Sequence, residues 1–280
     1  MASTLSAANP SVWYRPDYGA RLKPSTRFVY NNWSEIPDEE LPTHLHSIRN
    51  RAWPLGNYPC IGMWIFLLPG LAGFPEFDSL VAQARGQSTS ESSVILDLGT
   101  GLGQDLRLLA AHGVPTTRMV AVDREPRLWQ LGYELFKDTD RMQARFIEGD
   151  FHTMPDAALA PVQGNVDLVI AAQFLHLFSL AGQQAACKRI VALSRPGTTV
   201  VGFQQGRQQP VEYVRPWGVT FYQNRESFVK MWGAVQAETG TRWEVVVREV
   251  ELEEWGMEAE DVAWMEGVKF GIEFVITRVS

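Results

Sequence analysis

The sequence predicts an α/β protein in which a doubly wound, mainly parallel sheet follows an N-terminal cap. Three observations point to this fold class. Residues 1–85 are rich in Pro, Trp, Tyr and Gly and show little periodicity, which is typical of irregular or short helical structure. From Val94 onward, short apolar runs alternate with amphipathic stretches, as in strands joined by helical crossovers. The first apolar run leads into a glycine-rich turn that opens a helix, which predicts a ligand site there.

A polar connection at 85–93, reading RGQSTSESS, separates the N-terminal region of little periodicity from the region of alternating apolar and amphipathic segments. We therefore expect a cap and substrate lid at 1–90 and a cofactor-binding domain at 91–280. The predicted strands of this domain lie at 94–98, 119–122, 144–147, 166–171 and 198–203. The predicted helices lie at 105–112, 126–136 and 180–193. Arg195-Pro196-Gly197 should end the last of these helices sharply before the fifth strand.

The C-terminal region continues the pattern with a helix at 225–237 and strands at 243–250 and 272–279. Both strands are alternating or β-branched, and they should form a closing antiparallel pair. An acidic, Trp-containing piece at 253–270 lies between them, with 261–268 as its best helix candidate. From the sequence, this piece is either a solvated insertion or a contributor to a ligand site.

Composition limits the partners and the location of the chain. Its 25 Lys and Arg against 32 Asp and Glu give a net charge of −7, so no nucleic-acid partner is expected. The 2 cysteines cannot build a disulfide framework, the histidines suggest no metal site, and no signal segment opens the chain, so a cytoplasmic protein is expected. The apolar stretch 60–73 contains Pro69 and falls short of the roughly 20 residues of a membrane span. The 10 Trp and 14 Phe must fill either a core or an apolar ligand cavity.

The strongest local signal is the pattern Asp97-x-Gly99-x-Gly101-x-Gly103, which follows the apolar strand. Both dinucleotides and S-adenosylmethionine bind at this position in doubly wound sheets. A dinucleotide fingerprint needs glycine at the sixth position counted from Gly99, and that position is Gln104. The spacing therefore disfavours a nicotinamide-dependent oxidoreductase.

The acidic residue two positions before the first glycine, followed by glycines at alternating positions, resembles the first motif of class I methyltransferases that use S-adenosylmethionine. This resemblance implies a Rossmann-like, seven-stranded sheet whose last strand is antiparallel. It also implies that S-adenosylmethionine binds at Asp97, Gly99, Thr100 and Gly101.

Asp123 lies at the tip of the second predicted strand. A carboxylate at this position can accept both hydroxyls of a ribose, and we assign Asp123 and the adjacent Arg124 to the cofactor site. Asp123 could instead cap the helix that begins at Pro126.

Two further motifs follow in the order that the resemblance requires. Asp150 and Phe151 come after the third strand, and the resemblance implies that they accept the adenine amino group and pack against the base. Gln173 and Phe174 follow the fourth strand and should touch the methionine part of the cofactor.

A narrower resemblance covers nearly the whole chain. The opening at 12–18, VWYRPDY, the apolar segment near Met63-Trp64 and the closing strand pair resemble the fungal meroterpenoid methyltransferases that esterify farnesylated dimethylorsellinic-acid intermediates. The resemblance implies an O-methyltransferase that forms a methyl ester on a hydrophobic small-molecule acid. These features are less specific than the class motifs.

Methyl transfer mainly requires that two reactants be aligned and water excluded. A carboxylate acceptor is ionised at neutral pH and needs no general base, whereas a phenol would benefit from one. His176 is the candidate for that base or for a hydrogen-bond donor, and its alternative role is a packed histidine. The alternatives left open are a phenol O-methyltransferase, a protein of this fold that catalyses a pericyclic cyclisation, and a non-catalytic binding protein.

A terpenoid acid needs aromatic walls and a donor for its carboxylate. Each candidate could instead fill a core or lie on the surface, and a homodimer is possible. The candidate wall residues are Tyr14, Tyr18 and Trp64 in the cap and Trp217 after the fifth strand. The candidate carboxylate donors are Arg49 and Arg51.

Overall fold

The computed structural model describes residues 10–68, 70–86, 94–215, 218–263 and 270–280. Seven strands form one sheet and two form a separate hairpin. The strands are β1 (Val94–Leu98), β2 (Met119–Asp123), β3 (Arg145–Glu148), β4 (Val166–Ile170), β5 (Ser194–Gln205), β6 (Val211–Arg215), β7 (Gly218–Tyr222), β8 (Trp243–Glu251) and β9 (Phe270–Arg278).

The order of the large sheet is β3-β2-β1-β4-β5-β9-β8. The first five strands are parallel, and β9 runs antiparallel to both β5 and β8. Four of the five residues of β1 are buried, as expected for a central strand covered on both faces. This topology confirms the predicted doubly wound sheet with its last strand antiparallel.

Helices cover both faces of the sheet and build the cap. The helices are α1 (Pro24–Asn32), α2 (Leu41–Ala52), α3 (Pro59–Gly62), α4 (Phe77–Arg85), α5 (Gln104–Ala111), α6 (Pro126–Phe136), α7 (Asp156–Leu159), α8 (Leu180–Leu193) and α9 (Arg225–Thr239). The 3-10 helices are Pro10–Trp13, Trp53–Leu55, Ile65–Leu67, Gly70–Gly73, Thr116–Arg118, Ala160–Val162, Leu175–Leu177 and Ala259–Val262. The predicted bounds of α6 and α8 are those observed.

Two differences from the sequence prediction are larger than a shift of one or two residues at an element's end. The fifth strand begins at Ser194, four residues before the predicted start, because Ser194 already pairs with Val166 of β4 and the Arg195 guanidinium binds Asp167 Oδ1 at 2.5 Å. The hairpin of β6 and β7 was not predicted. Residues 264–268 of the predicted helix at 261–268 lie outside the described residues, and the described part forms the end of the Ala259–Val262 turn.

The cap shares a hydrophobic core with the α5 and α6 side of the sheet. Tyr30 of α1 stacks on Phe136 of α6 with 5.5 Å between ring centroids. The piece between β8 and β9 is not simply solvated, because Asp261 is 1% exposed and forms a buried ion pair with Arg21 of the cap. The connection at 87–93 lies outside the described residues, and the division into two domains stays a prediction.

The helices of the described residues fall short of a membrane span, either in length or in apolar character.

Candidate active site

The glycine-rich turn joins β1 to α5 at the carboxyl edge of the parallel strands. Gly101 has a φ of +53°, and a Cβ built on it would meet no heavy atom within 4 Å. Glycine adopts this conformation without steric cost. Because Gly101 has no side chain, a ligand in the open space beside it can approach the backbone closely. The Gly101 N–H donates to Asp123 Oδ2 at 2.8 Å, which ties the turn to the end of β2.

Asp97 is buried under this turn and accepts a 2.5 Å hydrogen bond from the Thr100 hydroxyl. Burial, with a contribution from the nearby Asp105, raises the pKa of Asp97 to about 8. A carboxyl group that resists ionisation in this way is stabilised as a carboxylate by a cation placed beside it. S-adenosylmethionine carries ammonium and sulfonium charges, so the turn fits the cofactor.

Asp123 ends β2 and faces the turn. Its Oδ1 accepts from the Glu125 N–H at 2.9 Å, and its other oxygen accepts from Gly101. Burial raises its pKa. Glu125, not Asp123, is the N-cap of α6, because its side chain accepts from the Arg127 N–H. Asp123 therefore lies where a ribose site requires a carboxylate, and its cofactor role stays a prediction.

The cap reaches this same corner. Tyr58 precedes α3 and is half-buried. Burial raises the pKa of its hydroxyl. The positive charge of Arg124 opposes this increase, and the negative charge of Asp123 adds to it. Arg124 itself is exposed. Tyr58 was missed from the sequence, because nothing local marks a cap tyrosine as a neighbour of β2.

Asp123→Ala is expected to weaken cofactor binding by about 1–3 kcal/mol, because charge-assisted hydrogen bonds are lost. Calorimetry with S-adenosylhomocysteine measures this loss, and the exposed Asp140→Ala provides a matched control. Unchanged affinity of the Asp123 variant would remove that residue from the site.

Asp150 and Phe151 follow β3. Asp150 Oδ1 accepts from the His152 N–H at 2.8 Å, which shapes the turn after the strand. Arg189 of α8 donates to the Phe151 carbonyl at 2.6 Å and to the Met154 carbonyl at 2.5 Å, so it fixes the segment from the opposite side. Arg189 was also missed from the sequence, since it lies in a helix with no motif of its own.

Gln173 and Phe174 follow β4 at the same edge. Gln173 has a φ of +51°, an unfavourable conformation for a residue with a side chain. Its N–H donates to the Phe203 carbonyl of β5 at 2.7 Å, which holds this backbone in place. The Phe174 ring lies 3.0 Å from the position of a Cβ built on Gly99 and 6.0 Å, between centroids, from the Phe151 ring. The predicted motif residues are thus brought together around the glycine-rich turn.

His176 lies in the 3-10 turn Leu175–Leu177, with its ring centroid 5.8 Å from that of Tyr222 in β7. Its Nδ1 is buried and has no hydrogen-bond partner among the described residues. Burial, assisted by the positive charge of Arg215, lowers the pKa of His176 to about 4. The imidazole is therefore neutral at pH 7 and a weak base.

The predicted substrate residues of the cap have other partners. Trp64 is fully buried, and the Arg49 guanidinium lies between its ring and that of Tyr14, at 4.3 and 4.0 Å from the centroids. Arg49 also donates to two backbone carbonyls, and the Tyr18 ring packs against Trp64. Trp64 and Arg49 lie in the interior of the cap, Tyr18 is partly buried against Trp64, and Tyr14 is 39% exposed. The contact of these residues with substrate stays a prediction.

Arg51 is half-exposed and forms a bidentate ion pair with Glu134 of α6 at 2.6 and 2.7 Å. Its guanidinium thus connects cap and sheet domain. Trp217 lies outside the described residues, and its contact with substrate stays a prediction.

Comparison with known proteins agrees with this geometry. Residues 13–67 match the family model described as the meroterpenoid methyltransferase N-terminal domain, and residues 95–197 match a methyltransferase domain. The O-methyltransferase phiE of a fungal species is 34% identical over 248 residues, which cover 87% of this chain and 81% of that protein.

Two further relatives are fungal methyltransferases. The O-methyltransferase atr3 of Stereocaulon alpinum is 32% identical over 81% of this chain and 66% of that protein. The asnovolin E/chermesin D methyltransferase nvfJ of Aspergillus novofumigatus is 26% identical over 79% of this chain and 80% of that protein.

These matches, with the observed topology and the glycine-rich turn, exclude the nicotinamide-dependent alternative and confirm the predicted family and cofactor. The chain belongs to the class I S-adenosylmethionine-dependent methyltransferases, as an O-methyltransferase related to the fungal meroterpenoid enzymes.

Proposed function

We propose that this O-methyltransferase forms a methyl ester on the carboxyl group of a prenylated, specifically farnesylated, aromatic polyketide acid in meroterpenoid biosynthesis. The observation that carries the ester is the environment of His176, whose Nδ1 is buried without a hydrogen-bond partner among the described residues and whose ring packs beside Tyr222. This burial, together with the positive charge of Arg215, lowers the pKa of His176 to about 4 and makes it a poor proton acceptor. A phenol has a pKa near 10 and would have to give up its proton to such a base. A carboxylate is already ionised, so it needs none.

S-adenosylmethionine, when bound, supplies an electrophilic methyl group. The residues of this chain then have to hold the acceptor in line, keep its oxygen ionised and exclude water. The neutral imidazole of His176 can donate or accept one hydrogen bond to an acceptor oxygen without moving a proton. Support for the prenylated class of acceptor comes from the N-terminal family model, which spans most of the described cap.

The test is incubation with methyl-labelled S-adenosylmethionine and two matched acceptors. One is a farnesylated dimethylorsellinic acid with its phenols blocked as ethers; the other keeps its phenols free and carries a carboxamide. We expect labelled methyl ester from the first acceptor and no transfer to the second. Label in an aryl ether would support the phenol O-methyltransferase instead, and conversion of an acceptor without label would support a pericyclic reaction.

His176→Ala is expected to keep more than about a tenth of wild-type turnover, because loss of a true general base costs roughly 10²- to 10⁴-fold. Turnover at saturating cofactor and acceptor measures this. Retained secondary structure by circular dichroism is the control for folding. A loss greater than about tenfold in a folded variant would contradict the carboxylate assignment and make His176 the base of a phenol methyltransferase.

A further inference from the structure

The hairpin of β6 and β7 turns one polar face inward beside His176. Tyr213, Arg215 and Tyr222 are buried on this face, whereas Val214 on the other face is 50% exposed. The hairpin is anchored to α8, because Gln183 Nε2 donates to the Phe221 carbonyl of β7 at 2.7 Å. The inward side chains are therefore held in fixed positions.

Two arginines meet on the buried side of this hairpin. Arg207 is 5% exposed and Arg215 is 8% exposed. The Arg207 guanidinium lies 5.9 Å from the Tyr213 centroid and 5.2 Å from the Tyr222 centroid, and the Arg215 guanidinium lies 4.8 and 5.8 Å from the same rings. Neither guanidinium forms an ion pair with an Asp or Glu of the described residues.

Two arginines of the chain show that the Nε–Nη2 edge of a guanidinium can bind a carboxylate through two hydrogen bonds, whereas Arg51 and Arg248 use Nη1 and Nη2. Arg107 binds Asp138 through Nε and Nη2, and Arg127 binds Glu125 through the same two atoms. In Arg215 both Nε and Nη2 are buried without a hydrogen-bond partner among the described residues. This edge is a preformed fork for a carboxylate.

Arg207 is oriented from the end of β5. Its Nη1 donates to the Gly206 carbonyl at 3.0 Å. Assigning the Gln205 amide so that its oxygen faces the guanidinium lets that oxygen accept from Nη1 at 2.8 Å and from Nη2 at 3.1 Å. Its Nε is buried and has no partner in the described part of the chain. Arg207 thus keeps one donor for a ligand.

The two arginines are connected through the Tyr222 ring to the segment that follows β4. The Tyr222 ring packs against both guanidinium groups and against the His176 ring. His176 follows the Gln173–Phe174 motif on the same segment after β4. Three guanidinium donors and the Nδ1 of His176 are all buried without partners among the described residues. Buried cations without a counter-charge are costly, and an anion of matching geometry removes that cost.

We propose that Arg207 and Arg215 bind the carboxylate of the acceptor, with the Nε–Nη2 edge of Arg215 as its bidentate anchor. The proposal rests on the proposed function and names its anion site. It places the anchor in the hairpin and not at Arg51, which binds Glu134, or at Arg49. The Arg49 guanidinium lies between the rings of Tyr14 and Trp64, and its Nη2 donates to two backbone carbonyls of the cap.

The experiment measures binding of a farnesylated orsellinic acid and of its carboxamide by intrinsic tryptophan fluorescence, with S-adenosylhomocysteine bound so that no turnover occurs. Arg207→Gln and Arg215→Gln should each weaken binding of the acid by about 10- to 100-fold and leave the carboxamide nearly unchanged. Arg195→Gln is the matched control, since Arg195 lies at the opposite end of β5 and binds Asp167.

The outcomes separate this proposal from the proposed function. Equal binding of the acid to wild type and both variants, with ester still formed, would overturn the arginine site alone. Selective loss of acid binding in the variants, with no ester formed by the wild type, would support the site and overturn the ester. If a variant does not fold, the wild type still decides: equal affinity for acid and carboxamide would overturn the anion site.

Discussion

Arg107→Met is expected to lower the free energy of unfolding by about 3–5 kcal/mol, the range measured when one partner of a buried ion pair is removed. Arg107 in α5 and Asp138 after α6 both have fully buried side chains. Their two hydrogen bonds measure 2.9 and 3.2 Å, and Trp33 of the cap donates to the same carboxylate at 2.8 Å. Methionine would leave the buried Asp138 charge without its cation.

The same substitution should also weaken cofactor binding. Arg107 Nη1 donates to the Leu102 carbonyl inside the glycine-rich turn at 3.3 Å, so the guanidinium supports the backbone that approaches the ligand. Urea denaturation measures stability. Arg127→Met is the control, because Arg127 is 65% exposed and solvent screens its bidentate pair with Glu125, so this variant should lose much less stability than Arg107→Met. A loss below about 1 kcal/mol for Arg107→Met would contradict this account of the buried pair.

Gly103→Ala is expected to destabilise the protein by roughly 2–5 kcal/mol, as the sum of backbone strain and overpacking. Gly103 has a φ of +73°, where a Cβ costs about 1–2 kcal/mol. The added Cβ would also lie 2.2 Å from Arg107 Nη1 and 2.6 Å from the Trp129 ring. Arg107 is held by Asp138, so it cannot move away without breaking its ion pair.

Gly164→Ala separates the two contributions. Gly164 has a φ of +69°, and a Cβ there would meet no heavy atom within 4 Å. This variant should therefore lose stability through backbone strain alone. Thermal unfolding of the two variants should therefore differ by the overpacking cost at Gly103, roughly 1–3 kcal/mol. Equal losses of stability would show that the side chains of Arg107 and Trp129 can shift away from the added methyl group without destabilising the protein.

Much of the fold could be predicted from local pattern. The helix α6 begins at Pro126 and ends at Phe136 in both prediction and structure, because proline at its first position and an amphipathic repeat mark it in the sequence. The sequence alone also showed that the turn does not match the dinucleotide fingerprint, because Gln104 occupies the position where the sixth residue should be glycine. The hairpin of β6 and β7 could not be predicted in this way, because its inward face is polar and aromatic and does not show the apolar alternation of a core strand.

The sequence by itself located the glycine-rich turn and the carboxylates that follow β2 and β3, and the resemblance of these motifs to class I methyltransferases implied the class of cofactor and the strand order. These features are local, since each motif directly follows its own strand. Only the tertiary structure decided which arginines have a counter-charge: Arg51 meets Glu134, Arg107 meets Asp138, and Arg215 meets no carboxylate among the described residues. The physical reason is that burial and pairing depend on contacts between residues far apart in the chain, which periodicity and spacing do not record.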